Sequence, residues 1–243
     1  MKLLWNRFVL ASGNLFFRFR NALFPLIFGL LFIFTKPHVN PENVVLDFLS
    51  IGIGFFLVLL GQAYRLLVIG YAYIDRGGKN RRISATDLVE KGFYAHSRNP
   101  MYLGNVLIVI GLSIMYGSLE AYLLVVPLFL FAYGSITVAE ENYLRNQFGE
   151  RYADYEKRVN RFWPNFKGIR KSLEAFEYNW KRALRKEYGT LFTVFTTALF
   201  IATWNAYYLF GPDTIKIAFL IVSGLVVFYS IVRFLKKKKY LAT

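Results

Sequence analysis

Phe48–Ile74 reads FLSIGIGFFLVLLGQAYRLLVIGYAYI, 27 residues that carry a single charge, Arg65. A bilayer core is crossed by about 20 predominantly apolar residues in a helix, so this stretch is long enough to span. Five more apolar segments flank it: Ala22–Thr35, Met101–Tyr116, Leu119–Ala139, Thr190–Phe210 and Ile215–Phe234. Together they are too long and too numerous for one globular core. The expected fold is an all-α integral membrane protein of about six transmembrane helices. The first and third segments are short for a span. Gly117-Ser118 leaves room only for a tight turn between the third and fourth, so those two form a helical hairpin.

The whole chain agrees with this reading. Of its 243 residues 56% are hydrophobic and 19% aromatic, and the mean hydropathy is +0.36. Yet 30 Lys and Arg against 15 Asp and Glu give a net charge of +15. The bases flank apolar spans, so anionic lipid headgroups are their expected counter-charge and no nucleic-acid partner is expected. No cysteine is present, which excludes disulfides, thiolate nucleophiles and Cys-based metal sites. With only His38 and His96, no His-rich metal centre is expected either.

Charge distribution orients the spans. With the amino terminus in the cytoplasm, the inside segments collect Lys2, Arg7, Arg18 and Arg20, then the bases from Arg76 to Arg98. They also collect twelve from Arg145 to Lys186, and Arg233 with Lys236–Lys239. Lys36 and Lys216 are left outside. That asymmetry follows the positive-inside rule and puts both termini in the cytoplasm. Residues 1–21 mix bases with Trp5, Phe8, Phe16, Phe17 and Phe19 and read as an amphipathic helix lying in the interface. Asn165–Tyr188 sets Leu173, Phe176, Trp180 and Leu184 at helical spacing among bases, and reads as a basic interfacial helix before the fifth span.

Two segments on the cytoplasmic side hold more special residues than connectors need: Arg81–Asn105 and Glu140–Pro164. Pro100 is suited to open the third helix, whose first amides would face an anionic group at the positive dipole end. Arg98 beside it offers a bidentate grip on carboxylate or phosphate, and Gly92 and Gly104 permit close approach of a ligand. The plainer alternative is a helix start with a snorkelling arginine. Glu140 and Glu141 end the fourth span, where paired carboxylates oppose the helix dipole and call for cationic or hydroxyl partners. A salt bridge to Arg98, Arg145 or Arg65 is the structural alternative. Arg65 with Gln62, inside the second span, is either functional or snorkelling from a projecting helix end.

These residues form a pattern. Leu88-Val89-x-x-Gly92-x-Tyr94-x-x-x-Arg98-Asn99-Pro100-x-Tyr102-x-Gly104 resembles a motif of the isoprenylcysteine carboxyl methyltransferase family, kin to phospholipid N-methyltransferases. Its second half is matched by Glu140-Glu141-x-x-Leu144-x-x-x-Phe148-Gly149-x-x-Tyr152-x-x-Tyr155-x-x-x-Val159-x-Arg161-x-x-Pro164. The ordered pair covers roughly 65–164, less than half the chain. The resemblance implies S-adenosylmethionine bound at the cytoplasmic face without a Rossmann domain, and a lipidic or apolar acceptor. It implies cofactor contacts from Arg98, Asn99, Pro100, Tyr102 and Gly104 on one side and Glu140 and Glu141 on the other. It also implies Gly92 as a cofactor contact, with Tyr94, Tyr152 and Tyr155 as the supporting wall. Arg98 is assigned to the methionine carboxylate, the glutamates to ribose hydroxyls or the α-amino group, and Asn99 and Arg65 are the catalytic candidates. Asn99 stands where the family has His, and asparagine cannot accept a proton near neutral pH.

The resemblance divides the chain into the interfacial helix 1–21, a methyltransferase core 22–164, and a basic helix with two further spans, 165–243. Two other readings compete with it. Membrane sterol reductases share a similar arginine-histidine-proline region and use NADPH, but have Asn where this chain has Met101. A non-enzymatic membrane protein with a decayed pocket would explain Asn99 but not the retained Arg98, Tyr102, Glu140 and Glu141.

Overall fold

The computed structural model describes residues 2–39, 42–71 and 83–241, with only the backbone for Lys2, Leu3 and Asn21. Arg76, Lys79, Arg81 and Arg82 of the charge argument, and the last residues of the 48–74 stretch, lie outside them. The elements are α1 (Lys2–Phe34), α2 (Val44–Tyr71), a 3-10 turn (Gly92–Ala95), α3 (Pro100–Tyr116) and α4 (Val126–Phe148). They continue with α5 (Glu150–Arg158), α6 (Ile169–Glu174), α7 (Trp180–Phe210) and α8 (Thr214–Lys237). No strand occurs among the described residues.

Over the described residues, each apolar segment of the sequence falls on a helix. Those in α2, Ala121–Phe148, α7 and α8 are long and apolar enough to cross a membrane. In α1 the arms Leu4–Arg20 and Ala22–Phe34 meet at 86°, and taken as one broken span they raise the number to five. α3 has 17 residues, about 25 Å at 1.5 Å per residue, which falls short of a full bilayer core.

The α3–α4 hairpin is present. α3 ends because Gly117 adopts the left-handed conformation (φ 72°) that a side chain would disfavour, and its N–H is donated to the Ser113 carbonyl. Ser118 Oγ then accepts from the Ala121 N–H at 3.2 Å. Pro127, which has no N–H, sits in the first turn of α4, and the chain reaches it through a π-helical turn at Ala121–Val125.

Close approach of backbones positions α3 on α2. A Cβ on Gly61 would lie 2.6 Å from the Gly104 carbonyl oxygen, and one on Gly54 would lie 2.5 Å from that of Gly111. In apolar surroundings van der Waals packing must hold helices together, and small residues maximise it. Gly104 therefore faces Gly61 and the aliphatic stem of Arg65. Around this seam Val58, Ile108, Leu112, Phe28, Phe129 and Ile201 form the main core, which draws α1, α4 and α7 together. Asn205 of α7 donates to the Met115 carbonyl at 2.9 Å and fixes α7 against the end of α3. α8 packs on α7 through Tyr229, whose ring contacts Tyr188 and Phe192.

The stretch expected as one basic helix, 165–188, is two. α6 ends at Glu174, and α7 starts afresh at Trp180 because the Asn179 side chain caps it, accepting from the Arg182 N–H at 2.9 Å. Leu173 and Ile169 consequently turn inward against Phe93 and Tyr94.

Candidate functional site

Four helix ends meet at one end of the bundle: the carboxyl ends of α2 and α4 and the amino ends of α3 and α7. Pro100 occupies the first turn of α3, as its missing N–H allows, and Asn99 is the residue before it. Residues 96–99 run beside the extended segment after α5. The Arg98 N–H donates to the Asn160 carbonyl at 2.8 Å, Asn99 N–H to Arg161 at 3.2 Å, and Asn165 N–H to His96 at 3.0 Å. Through these bonds the two halves of the sequence motif become one unit.

Glu141 is its centre. It is 1% exposed, and a carboxylate buried that far must be paired. Arg161 donates to it from Nη2 at 2.8 Å and from Nε at 3.1 Å. Asn99 Nδ2 donates at 3.4 Å, Arg98 Nη1 lies at 3.5 Å and Arg145 Nη2 at 3.8 Å. A second carboxylate, Glu156 of α5, receives Arg98 Nη1 at 2.6 Å and a bidentate pair from Arg145 at 2.9 and 2.6 Å. Three guanidinium groups thus share Glu141 and Glu156 near the amino end of α3.

The Arg145 hydrogen bonds, followed by those of Arg98, hold the Glu156 carboxyl down at about 2 from its ordinary 4.5. A depressed carboxyl contributes stability that is complete above about 4.5 and lost as pH falls toward about 2. The melting temperature of the detergent-solubilised protein should therefore fall over that window, and Glu156→Gln should flatten the fall. Equal acid slopes in the two proteins would mean that the clamp is not linked to folding.

The tyrosines of the motif are structural neighbours of this cluster. Tyr155 OH donates to the Tyr94 carbonyl at 2.7 Å, and Tyr152 packs edge-on against Tyr155 with the Arg145 guanidinium 6.0 Å from its ring. The Tyr102 ring lies tilted against that of Tyr133 of α4, with centroids 5.5 Å apart. Gly92 opens the 3-10 turn with φ 61°, a backbone conformation that favours glycine. Arg151 braces the incoming loop through Asp87 at 2.7 Å and Glu90 at 2.9 Å. Its hydrogen bond to Asp87 lowers that carboxyl below the usual range. Glu140, also buried, lies beside Glu141 on α4.

Arg65 does not join this cluster. It makes a bidentate ion pair with Glu187 of α7, from Nη2 at 2.7 Å and Nε at 2.8 Å, and its Nη1 donates to Asn105 of α3. Gln62 Nε2 donates to the same carboxylate at 3.1 Å. The pair is buried, with side chains 11% and 4% exposed. Sequence reasoning passed over Glu187 and Glu156. The signal for Glu187 was its being the lone acid of α7, opposite the lone base of α2. An open depression of about 610 Å³, lined by Lys36, His38, Ser118 and Glu120 among others, lies at the far end of α3, away from both clusters.

The fold and site define an all-helical protein with membrane-spanning helices and a cluster of arginines and glutamates around the buried Arg98 and Glu141 at one end of the bundle. Residues 43–151 match the sequence model of the phospholipid methyltransferase family, which establishes over that segment the resemblance carried by the paired motifs. The cobalt-zinc-cadmium resistance protein CzcN of Cupriavidus metallidurans is 30% identical over 128 residues, 53% of this chain and 51% of that protein. The chain thus spans about half the length of that curated relative. No solved structure matches. The family match stops at Arg151, so Glu156, Arg161 and Glu187 come from beyond it.

Proposed function

We propose that the protein transfers a methyl group from S-adenosylmethionine to a lipidic or apolar acceptor at the cytoplasmic face of the membrane. The observation that carries this is Asn99. It is 3% exposed, its amide nitrogen is spent on Glu141 and on the Arg161 carbonyl, and its Oδ1 is buried without a partner. A buried acceptor left unpaired costs about 1–3 kcal/mol, which a donor on a bound ligand would recover. Beside it stand the Arg98 and Arg161 guanidinium groups. An acceptor next to guanidinium groups suits a zwitterion, and the methionine moiety of the cofactor is one.

Arg98 then takes the carboxylate, Asn99 Oδ1 accepts from the α-ammonium, and Glu140 serves the ribose hydroxyls. Glu141 is held by Arg161, so its part is to orient Arg98 and Asn99. Tyr94, Tyr152 and Tyr155 close the wall behind them. Bound S-adenosylmethionine would supply an activated methyl group on a sulfonium, passed in line to the acceptor with S-adenosylhomocysteine as the leaving group. The protein's contribution is position and exclusion of water, which can account for most of the acceleration. Asn99 takes no proton, so a carboxylate or thiolate acceptor needs no base here and an amine must arrive unprotonated. The cytoplasmic assignment is supported by the site's lying at the helix ends where the bases between Arg145 and Lys186 gather.

The test is calorimetric titration of S-adenosylhomocysteine into the purified chain, with NADPH in parallel. Saturable binding of the first alone is expected. Asn99→Leu should weaken it about tenfold, the worth of roughly one hydrogen bond, while Asn99→His should retain it. Binding of NADPH alone would replace this reading with a reductase. Incorporation of label from methyl-labelled S-adenosylmethionine into organic-extractable lipid tests the acceptor class.

A further inference from the structure

Between Lys157 and Leu173 the chain carries six Lys and Arg and no acid. Three of these bases face inward or along α5: Lys157 pairs with Asp154, Arg158 with Glu90, and Arg161 with Glu141. The other three, Lys167, Arg170 and Lys171, are exposed on one short stretch, and Arg170 meets Glu174 at 3.3 Å in a pair open to solvent. Two large aromatics lie exposed beside them, Trp163 at 77% and Phe166 at 55%. Exposed Trp and Phe among bases are costly in water and favoured at the headgroup level, where they enter the acyl boundary while the bases meet phosphates. This knot of bases and aromatics suits a bilayer face. The backbone N–H of Asn179 and the Arg182 guanidinium bind the Gly70 carbonyl at 3.0 and 2.7 Å, so the strap from the knot to α7 is pinned to the end of spanning helix α2.

The inner side of the same stretch touches the cofactor-binding loop. Ile169 and Leu173 pack on Phe93 and Tyr94. The His96 ring bridges both ends of the knot, with Nδ1 2.5 Å from the Asn165 carbonyl and Nε2 3.0 Å from Ser172 Oγ. Two residues on from His96 is Arg98. A displacement of the knot is therefore passed through one imidazole, and through the 96–99 pairing with 160–165, to Arg98, Asn99 and Arg161.

We infer that residues 163–171 dock on an anionic bilayer surface and that this docking sets cofactor affinity by fixing the His96–Asn99 loop. The inference rests on the methyltransferase reading and names a regulator of that site. An anionic leaflet attracts each nearby base, so Lys167, Arg170 and Lys171 together supply the lipid dependence.

The experiment measures S-adenosylhomocysteine affinity for the full chain in nanodiscs of phosphatidylcholine alone and of phosphatidylcholine with one part in three phosphatidylglycerol. Affinity should rise about fivefold or more with the anionic lipid, the low end of ordinary coupling between sites. A triple variant, Lys167→Gln with Arg170→Gln and Lys171→Gln, should keep the phosphatidylcholine value and lose the rise. Ser172→Ala should also lose it, although its outward bases remain, because the imidazole bridge is cut. Equal wild-type affinity in the two bilayers, or a rise undiminished in the triple variant, overturns the inference while leaving the cofactor reading intact. No binding in either bilayer, with the protein shown folded, overturns both.

Discussion

Replacing Glu187 with alanine should destabilise the protein by about 3–5 kcal/mol, because Arg65 would be left charged and without its counter-ion inside the bundle. Both side chains are almost wholly buried, so solvent screening gives little relief. Gln62 would lose the same carboxylate, and the Arg65 bond to Asn105 would be the remaining one among those described. The loss should appear in unfolding from detergent micelles. A double replacement, Arg65→Met with Glu187→Leu, should recover most of it, since an apolar pair of similar volume needs no compensation. A Glu187→Ala protein within about 1 kcal/mol of wild type would show that the pair contributes nothing net, as exposed pairs often do. The experiment also bears on Arg65, because a paired arginine whose stem crosses Gly104 serves the α2–α3–α7 seam before any chemistry.

The second large effect is expected at Glu141. Glu141→Ala removes the carboxylate shared by Arg161, Asn99, Arg98 and Arg145, and leaves three guanidinium groups drawn together with Glu156 between two of them. Charged hydrogen bonds of this kind are worth about 1.5–3 kcal/mol each. With Arg98 and Asn99 both released, affinity for S-adenosylhomocysteine should fall about a hundredfold or more. Glu141→Gln, which keeps the shape and an acceptor, should lose about tenfold. Calorimetry below the melting temperature of each variant separates affinity from folding. Affinity within about threefold of wild type for the alanine variant would remove Glu141 from the site's support.

Much of the architecture was legible because it depends on local properties. Length and hydropathy locate α2, the α4 segment, α7 and α8, and Gly117-Ser118 admits only the hairpin turn that is found. The two motif halves were expected to meet, and Asn99 with Arg98 lies against Glu141 as that expectation requires. The salt bridge weighed as the alternative for the glutamates is present at Glu141, to Arg98 and Arg145. Less legible was the break at Asn179. Helical spacing of Leu173, Phe176, Trp180 and Leu184 suggested one helix, while a capping asparagine and packing of Leu173 on Phe93 split it.

By itself, then, the sequence determined that the chain is helical, where its long apolar helices lie, and which two segments meet at one end of the bundle. Hydrophobic length and the spacing of special residues are local quantities, and they survive without knowledge of the partner helix. Only the tertiary structure decided what those residues touch. It paired Arg65 with Glu187 across 122 positions and spent Gly104 on the α2–α3 seam. It also brought Glu156 and Arg161 into a clamp around Arg98. A buried charge must find a counter-charge, but which of several distant acids supplies it depends on how the helices cross, and no local pattern in the chain specifies that.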